Sequence, residues 1–284
     1  MGLNKINEIK KALNSHYVSR ESTVDMMMLA ILSGKNAFLI GEPGLGKTDI
    51  LKAFSNSVKD FVFFEYQIGF ETRMQDLLSV NSNDGIGIDN CHIALLDEFF
   101  KGNPSTLNSL LSIMQEKVVY IPKRKEIPLL TIFATSNEKP DSVEGKSMLA
   151  LYDRFLLREE VMPLRTRDEF IRLMSIDKPF KPETYLTMDD LSACYGEIEK
   201  IKIPAEIIDR LYAIRDAIRA YQVKVSDRRF WNLKSVLKAS AFLRGDDTVR
   251  IEKDIDSIKS SLWTCSSDVQ SVEKAFNKMY RGEL

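Results

Sequence analysis

The residues with the most pointed chemistry form one octapeptide, Gly41-Glu42-Pro43-Gly44-Leu45-Gly46-Lys47-Thr48. It satisfies the spacing G-x-x-x-x-G-K-[ST] in full. Glycines here let backbone N–H groups turn inward around phosphate oxygens. The helix expected to follow, continuing from Asp49 to Ser55, aims its positive end at the same oxygens. Lys47 supplies a point charge to the β- and γ-phosphates, and the Thr48 hydroxyl reaches Mg2+. The expected nucleotide-binding set is therefore Gly41, Glu42, Pro43, Gly44, Leu45, Gly46, Lys47, Thr48 and Asp49.

A second group, His92-Ile93-Ala94-Leu95-Leu96-Asp97-Glu98, is an apolar strand carrying two carboxylates out at its end. Open α/β sheets bind ligands at that edge. Asp97 is the expected Mg2+ partner, through water. Glu98, one residue on, is placed to take a proton from an attacking water. A third group, Ala134-Thr135-Ser136-Asn137, ends a further apolar run. The Asn137 amide can hydrogen-bond that water or the γ-phosphate.

Such residues need a sheet to hold them. Short apolar runs at 37–40, 61–64, 93–96, 129–135 and, more weakly, 158–162 alternate with helical patterns. Runs apolar on both faces suit a parallel sheet, and helices between them imply right-handed crossovers in a three-layer α/β core. Asn103 and Pro104 read as cap and first residue of a helix buried through Leu107, Leu110, Leu111 and Met114. Residues 116–131 read as a β-hairpin with Lys123-Arg124-Lys125 at a solvated tip. The Met26-Met27-Met28 run reads as packing. After Pro163 the pattern turns helical. Ile207, Leu211, Ile214, Ile218 and Tyr221 form one stripe, and Ser226 caps a helix facing inward through Phe230, Leu233, Leu237 and Ala241. The expected division is 1–163, an α/β part, and 164–284, a helical part.

Composition narrows the function classes. Among 284 residues, 40 basic side chains against 41 acidic ones leave a net charge of −1, so a general grip on nucleic acid is not favoured. Three scattered cysteines and two histidines make neither a disulfide scaffold nor a His-rich metal site. The first helix has no signal-peptide core, and no run approaches the ~20 apolar residues of a membrane span. A cytoplasmic protein is expected.

Together these motifs resemble the AAA+ ATPases, and within them the MoxR group, nearest its RavA-like branch. The resemblance is carried by Leu95–Glu98 running into FFKGNPSTLNSLLSIMQE (99–116), by ATSNE (134–138), ALYDRF (150–155), VSDRRFW (225–231) and Leu262-Trp263. It implies an α/β subdomain with a C-terminal helical lid, and a ring, usually a homo-hexamer, with ATP and Mg2+ between subunits. It further implies Asn137 as sensor, Arg154 as a finger reaching the neighbour's nucleotide, and Arg228 as the lid arginine, with Arg229 a close competitor. Arg154 read alone could equally pair with Asp153. The catalytic set is then Lys47, Glu98, Asn137 and Arg154, and the metal set Thr48 and Asp97. The expected function is ATP turnover coupled to remodelling or maturing a protein client, with a separate von Willebrand A-domain partner. Alternatives are a nucleic-acid motor, possibly using GTP, and a nucleotide-gated scaffold with negligible turnover. Tyr17 and Val18 are the place to look for adenine contacts. Segment 65–90, where the group carries an insert, has few clear signals.

Overall fold

The computed structural model describes residues 2–120, 123–138 and 151–283. Ile121 and Pro122 of the expected hairpin, and Ala150 of the ALYDRF stretch, lie outside them.

Five parallel strands make the central sheet: β1 (Asn36–Ile40), β2 (Phe63–Gln67), β3 (Ile93–Asp97), β6 (Thr131–Ser136) and β7 (Phe155–Glu160), in the order β2-β3-β6-β1-β7. β1 and β6 are buried at every residue, as strands covered on both faces should be. The short strands β4 (Val118–Tyr120) and β5 (Arg124–Glu126) pair antiparallel as the expected hairpin. Two boundaries moved. The last strand begins at Phe155 rather than 158, because Phe155, Leu156 and Leu157 are its buried, apolar half. The second runs past its aromatic start to Gln67, pairing Gln67 with Asp97.

The flanking helices are α1 (Gly2–His16), α2 (Glu21–Ser33), α3 (Lys47–Ser55) and α4 (Pro104–Glu116). α1 buries Ile6, Ile9 and Leu13, and all three methionines of α2 are buried. Asn103 caps α4 as expected: its side chain accepts from the Thr106 N–H at 2.9 Å.

Beyond β7 come α5 (Arg167–Met174), α6 (Met188–Lys200), α7 (Ala205–Ala220), α8 (Asp227–Arg244), α9 (Ile251–Asp254) and α10 (Ser266–Tyr280), with a 3-10 segment at Ile255–Ser261. α7 buries Ile207, Leu211, Ile214 and Ile218, the predicted stripe. Ser226 caps α8, accepting from Arg229 N at 3.2 Å, and Gly245 ends it at φ 83°. The buried face of α8 includes Leu233, Leu237 and Ala241 as expected; Phe230 is only half-buried, and Arg229 is buried instead.

α8 packs on α2, and the 3-10 segment packs on β7. The fully buried Arg158 of β7 joins the two parts. Its guanidinium donates to Trp263 O and to Tyr152 O (3.1 Å), its Nε donates to Phe155 O (3.0 Å), and its Cζ lies 4.2 Å from the Tyr152 ring centroid. This is a parallel-sheet α/β core followed by a C-terminal helical part, the architecture that the resemblance implies. Among the described residues no helix is long and apolar enough to cross a membrane.

Candidate active site

The phosphate loop leaves β1 at Ile40 and enters α3 at Lys47. Gly41 N donates to Ser136 O at 3.0 Å, tying the loop to β6. A Cβ on Gly41 would meet Val161 O at 2.6 Å, so the backbones approach too closely for any other residue. Gly46 caps α3 at φ 80°, a left-handed conformation that glycine adopts without strain. Two residues before α2 brace the loop from outside. Arg20 Nε donates to Leu45 O at 2.9 Å, and Tyr17 Oη donates to Asp49 O at 3.0 Å. The Tyr17 ring sits in an aromatic group with His16 (4.9 Å) and Phe180 (6.3 Å).

Lys47 is buried and folds back on the loop, donating to the carbonyls of Gly41 and, at 3.2 Å, Glu42. Burial lowers its pKa, and the nearby Asp97 opposes that shift. A phosphate brought here would replace two neutral carbonyls with an anion, a better partner for a desolvated ammonium. A cavity of about 180 Å³ is lined by Pro43, Gly44, Leu45, Gly46, Lys47, Thr48 and Asp49 together with Asp97, Glu98 and Asn137. The loop, both carboxylates and the asparagine therefore converge. Gly41 and Glu42 do not line it; they hold Lys47 from behind.

The donor set suits the groups it is expected to hold. Thr48 and Asp97 bring two oxygen ligands to one wall, which fits Mg2+, an ion usually held by one or two carboxylates, waters and substrate phosphates. No cluster of three or more acidic, His or Cys side chains for a protein-only metal site occurs among the described residues.

Asp97 and Glu98 are held by residues the sequence did not single out for this. Asp97 Oδ1 accepts from the Thr135 hydroxyl and from Glu98 N at 3.0 Å. Glu98 stands at φ 53° and ψ 39°, a left-handed conformation that turns the chain sharply after β3. Its Oε1 accepts from Lys101 Nζ at 2.7 Å and its Oε2 from Gln67 Nε2 at 3.0 Å. These two bonds, Lys101 first, hold its carboxyl below the usual glutamate range. Thr135 lay inside a motif already singled out. Gln67 and Lys101 carried no local signal, because the strand register and the turn after Glu98 bring them in.

The two arginines lie elsewhere. Arg154 immediately precedes β7, and Arg228 is in the first turn of α8. Both face Gln115, near the end of α4. With the Gln115 amide assigned so that its oxygen meets donors rather than its nitrogen, Oε1 accepts from Arg228 Nη1 at 2.9 Å and from Arg154 Nε at 3.1 Å. They border a cavity of about 360 Å³ with Lys35, Asn36, Lys117 and Asp153 among its walls. Asn36 is the first residue of β1 and the phosphate loop follows the last, so this cluster sits at the opposite end of the strand, about 13 Å away at 3.3 Å per residue. Arg228 lines this second cavity and is not among the residues lining the phosphate cavity of its own chain. Asp153 pairs with Arg229, and its charge also acts on its sequence neighbour Arg154. Arg229 neither faces solvent nor reaches the phosphate loop. It is buried, donating to Asp153 and to Thr264 Oγ1 at 3.1 Å.

Residues 4–178 match the family described as the MoxR domain of MoxR-vWA-beta-propeller ternary systems, and residues 206–276 match an AAA lid domain. The RavA-like branch is a finer expectation that the matched description does not name. Two uncharacterised proteins of Methanocaldococcus jannaschii are similar. MJ0079 is 28% identical over 96% of this chain and 73% of its own length, and MJ0812 is 29% identical over 91% and 71%. In the crystal structure of a presumptive ATPase from Cytophaga hutchinsonii, the fold superposes with a TM-score of 0.82 at 21% identity, covering 98% of this chain and 94% of that one. With more than half of its length matched by that domain, the chain belongs to the MoxR family of AAA+ ATPases.

Proposed function

We propose that this chain hydrolyses ATP at the contact between two copies of itself, in a ring that is a homo-hexamer, and spends the cycle remodelling or maturing a protein client. One observation carries the reading: the phosphate loop with Asp97, Glu98 and Asn137 occupies one end of β1, while Arg154 and Arg228 gather at the other. A chain so divided has two half-sites and completes neither alone. Set head to tail, the arginine end of one copy meets the phosphate end of the next.

The chemistry follows from the residues. The N–H groups of 43–48 and the Lys47 ammonium hold the β- and γ-phosphates. Thr48 and Asp97 would hold Mg2+, which neutralises charge on those oxygens. Water attacks the γ-phosphorus while Glu98 takes its proton, the bond to the β-phosphate oxygen breaks, and ADP and phosphate leave. Asn137 orients the water. Arg154 and Arg228 of the adjoining copy stabilise charge on the transferring group, with ~10³–10⁵ in rate expected of such a finger. Tyr17, whose hydroxyl donates to Asp49 O just past the loop, and the adjacent Val18 would flank the base of the nucleotide.

Residues 1–163 act in this reading as the hydrolytic body and 164–284 as the lid. Because Arg228 and Asp153's partner Arg229 are consecutive on α8, a pull on Arg228 by the neighbour's phosphate is felt by the lid. The family description names von Willebrand A-domain systems, which supports such a protein as partner. The test is phosphate release from purified rings, then affinity capture with Glu98→Gln held in ATP. We expect the variant to stay assembled, lose turnover and retain a von Willebrand A-domain protein. A monomer at all nucleotide concentrations, or undiminished turnover in Glu98→Gln, would overturn the reading.

A further inference from the structure

Resting on that reading, we propose that Gln115 is a positioning residue for the neighbour's hydrolysis: its single amide oxygen gathers Arg154 and Arg228 into one convergent pair before the neighbour's phosphate arrives.

The geometry is specific. Arg154 comes from the loop before β7 and Arg228 from the lid helix α8, 74 positions apart in sequence. One neutral oxygen accepts from both, at 2.9 and 3.1 Å. Two guanidinium groups repel each other, and each long side chain loses rotamer freedom when fixed. Something must offset both costs if the pair is to be ready for a phosphoryl group. Gln115 lies in the last turn of α4, where the helix carries partial negative charge and favours cations. Among the described residues, the other charged groups lining this cavity are Lys35, Lys117, Arg229 and Asp153, and Asp153 forms an ion pair with Arg229 while its charge also acts on Arg154. A neutral amide suits the place. A carboxylate would hold the arginines too well to release them, whereas an amide oxygen yields to a phosphate, the stronger charged acceptor.

The placement of Gln115 gives the helix a second use. α4 begins six residues after Glu98 and carries Gln115 in its last turn, spanning about 20 Å at 1.5 Å per residue. A short 3-10 turn (Phe99–Lys101) and then α4 therefore link the chain's own hydrolytic carboxylates to the holder of the arginines serving the next site.

Gln115 and Arg228 are exposed, so replacing Gln115 should not unfold the protein. The test is a double-mutant cycle on assembled rings, measuring kcat and KM for ATP with thermal melting as control. Gln115→Met keeps the length and removes the acceptor; Gln115→Ala is the second variant. Each is expected to lower kcat about tenfold by misplacing the pair, with KM within about twofold, since the nucleotide is held by the other copy's phosphate loop. In an Arg228→Ala background the same change should cost less than about twofold, because the pair no longer exists to be gathered. Undiminished kcat in both Gln115 variants, or an equal loss in the Arg228→Ala background, overturns the inference. Full turnover in intact Arg154→Ala rings would instead overturn the shared-site reading beneath it.

Discussion

Gln67 Nε2 donates to Glu98 Oε2 across 3.0 Å, tying the last residue of β2 to the carboxylate just beyond β3. Lys101 Nζ takes the other oxygen at 2.7 Å. A general base needs at least one oxygen directed at water. In this arrangement each oxygen already accepts one hydrogen bond, so a water must share an oxygen with Gln67 or Lys101 through its remaining lone pair.

Lys101→Met should therefore not abolish turnover. It frees Oε1 and lets the Glu98 carboxyl rise toward its ordinary pKa, since Lys101 is the chief cause of its depression. We expect phosphate release at pH 7 equal to wild type or several-fold higher, against a loss of ~10²–10⁴ in Glu98→Gln. Glu98 works deprotonated, so the acid limb of the pH profile should move to higher pH in Lys101→Met. A variant as inactive as Glu98→Gln would instead make Lys101 part of the hydrolytic machinery.

Thr135→Val tests the support of Asp97. The Thr135 hydroxyl is buried and donates to Asp97 Oδ1, so valine leaves that oxygen one donor short and free to swing. Asp97 would still be present, but less well aimed at the metal. The expected outcome is a rise of about tenfold in the Mg2+ concentration that half-saturates hydrolysis, as for other residues that orient a ligand. Unchanged Mg2+ dependence would separate Asp97 from the metal.

The parts of this site that sequence made legible are the ones whose chemistry is local. The phosphate loop, the Asp97-Glu98 pair and Asn137 each announce themselves within a few residues, and the caps at Asn103 and Ser226 do the same for their helices. Gln67, Lys101, Thr135 and Gln115 act through residues on other elements or across a turn. Gln67 meets Glu98 only because β2 and β3 pair in a register that sets it beside Asp97. Arg229 shows the same limit from the other side. Next to Arg228 in sequence, it points into the protein because the helical period turns it about 100° away, toward Asp153 and Thr264.

Arg158 should matter to stability more than to chemistry. It is fully buried, and its donors reach Tyr152, Phe155 and Trp263, joining the last strand to the lid. Burial, with the charge of Arg229 nearby, pushes its pKa down to about 9. Arg158→Ala removes the charge but leaves three carbonyls without these donors and opens a void. We expect a loss of about 3–5 kcal/mol in urea unfolding. Arg158→Met, which refills the volume, should recover part of it. A loss below about 1 kcal/mol in the alanine variant would show that the lid is held by its apolar contacts alone.

Lys117 offers a test of the cation-rich end through pH. Its backbone is left-handed at φ 54°, where it closes α4, and its amine lies 3.4 Å from Asn36 Oδ1. Burial, reinforced by the charge of Lys35, pushes its pKa down to about 8 from an ordinary 10.5. Between those two values the unfolded chain binds the proton and the folded protein does not, so stability rises with pH across that window. Below about pH 8 both states are protonated and the folded state carries the whole cost of the buried charge. Lys117→Met removes the amine while keeping the stem that fills the space. Wild type should therefore gain about 2–3 kcal/mol relative to this variant between pH 7 and pH 10.5 in urea titrations. Parallel stability curves would mean that the ammonium reaches water, and that the cluster around Arg154 and Arg228 is wetter than its walls suggest.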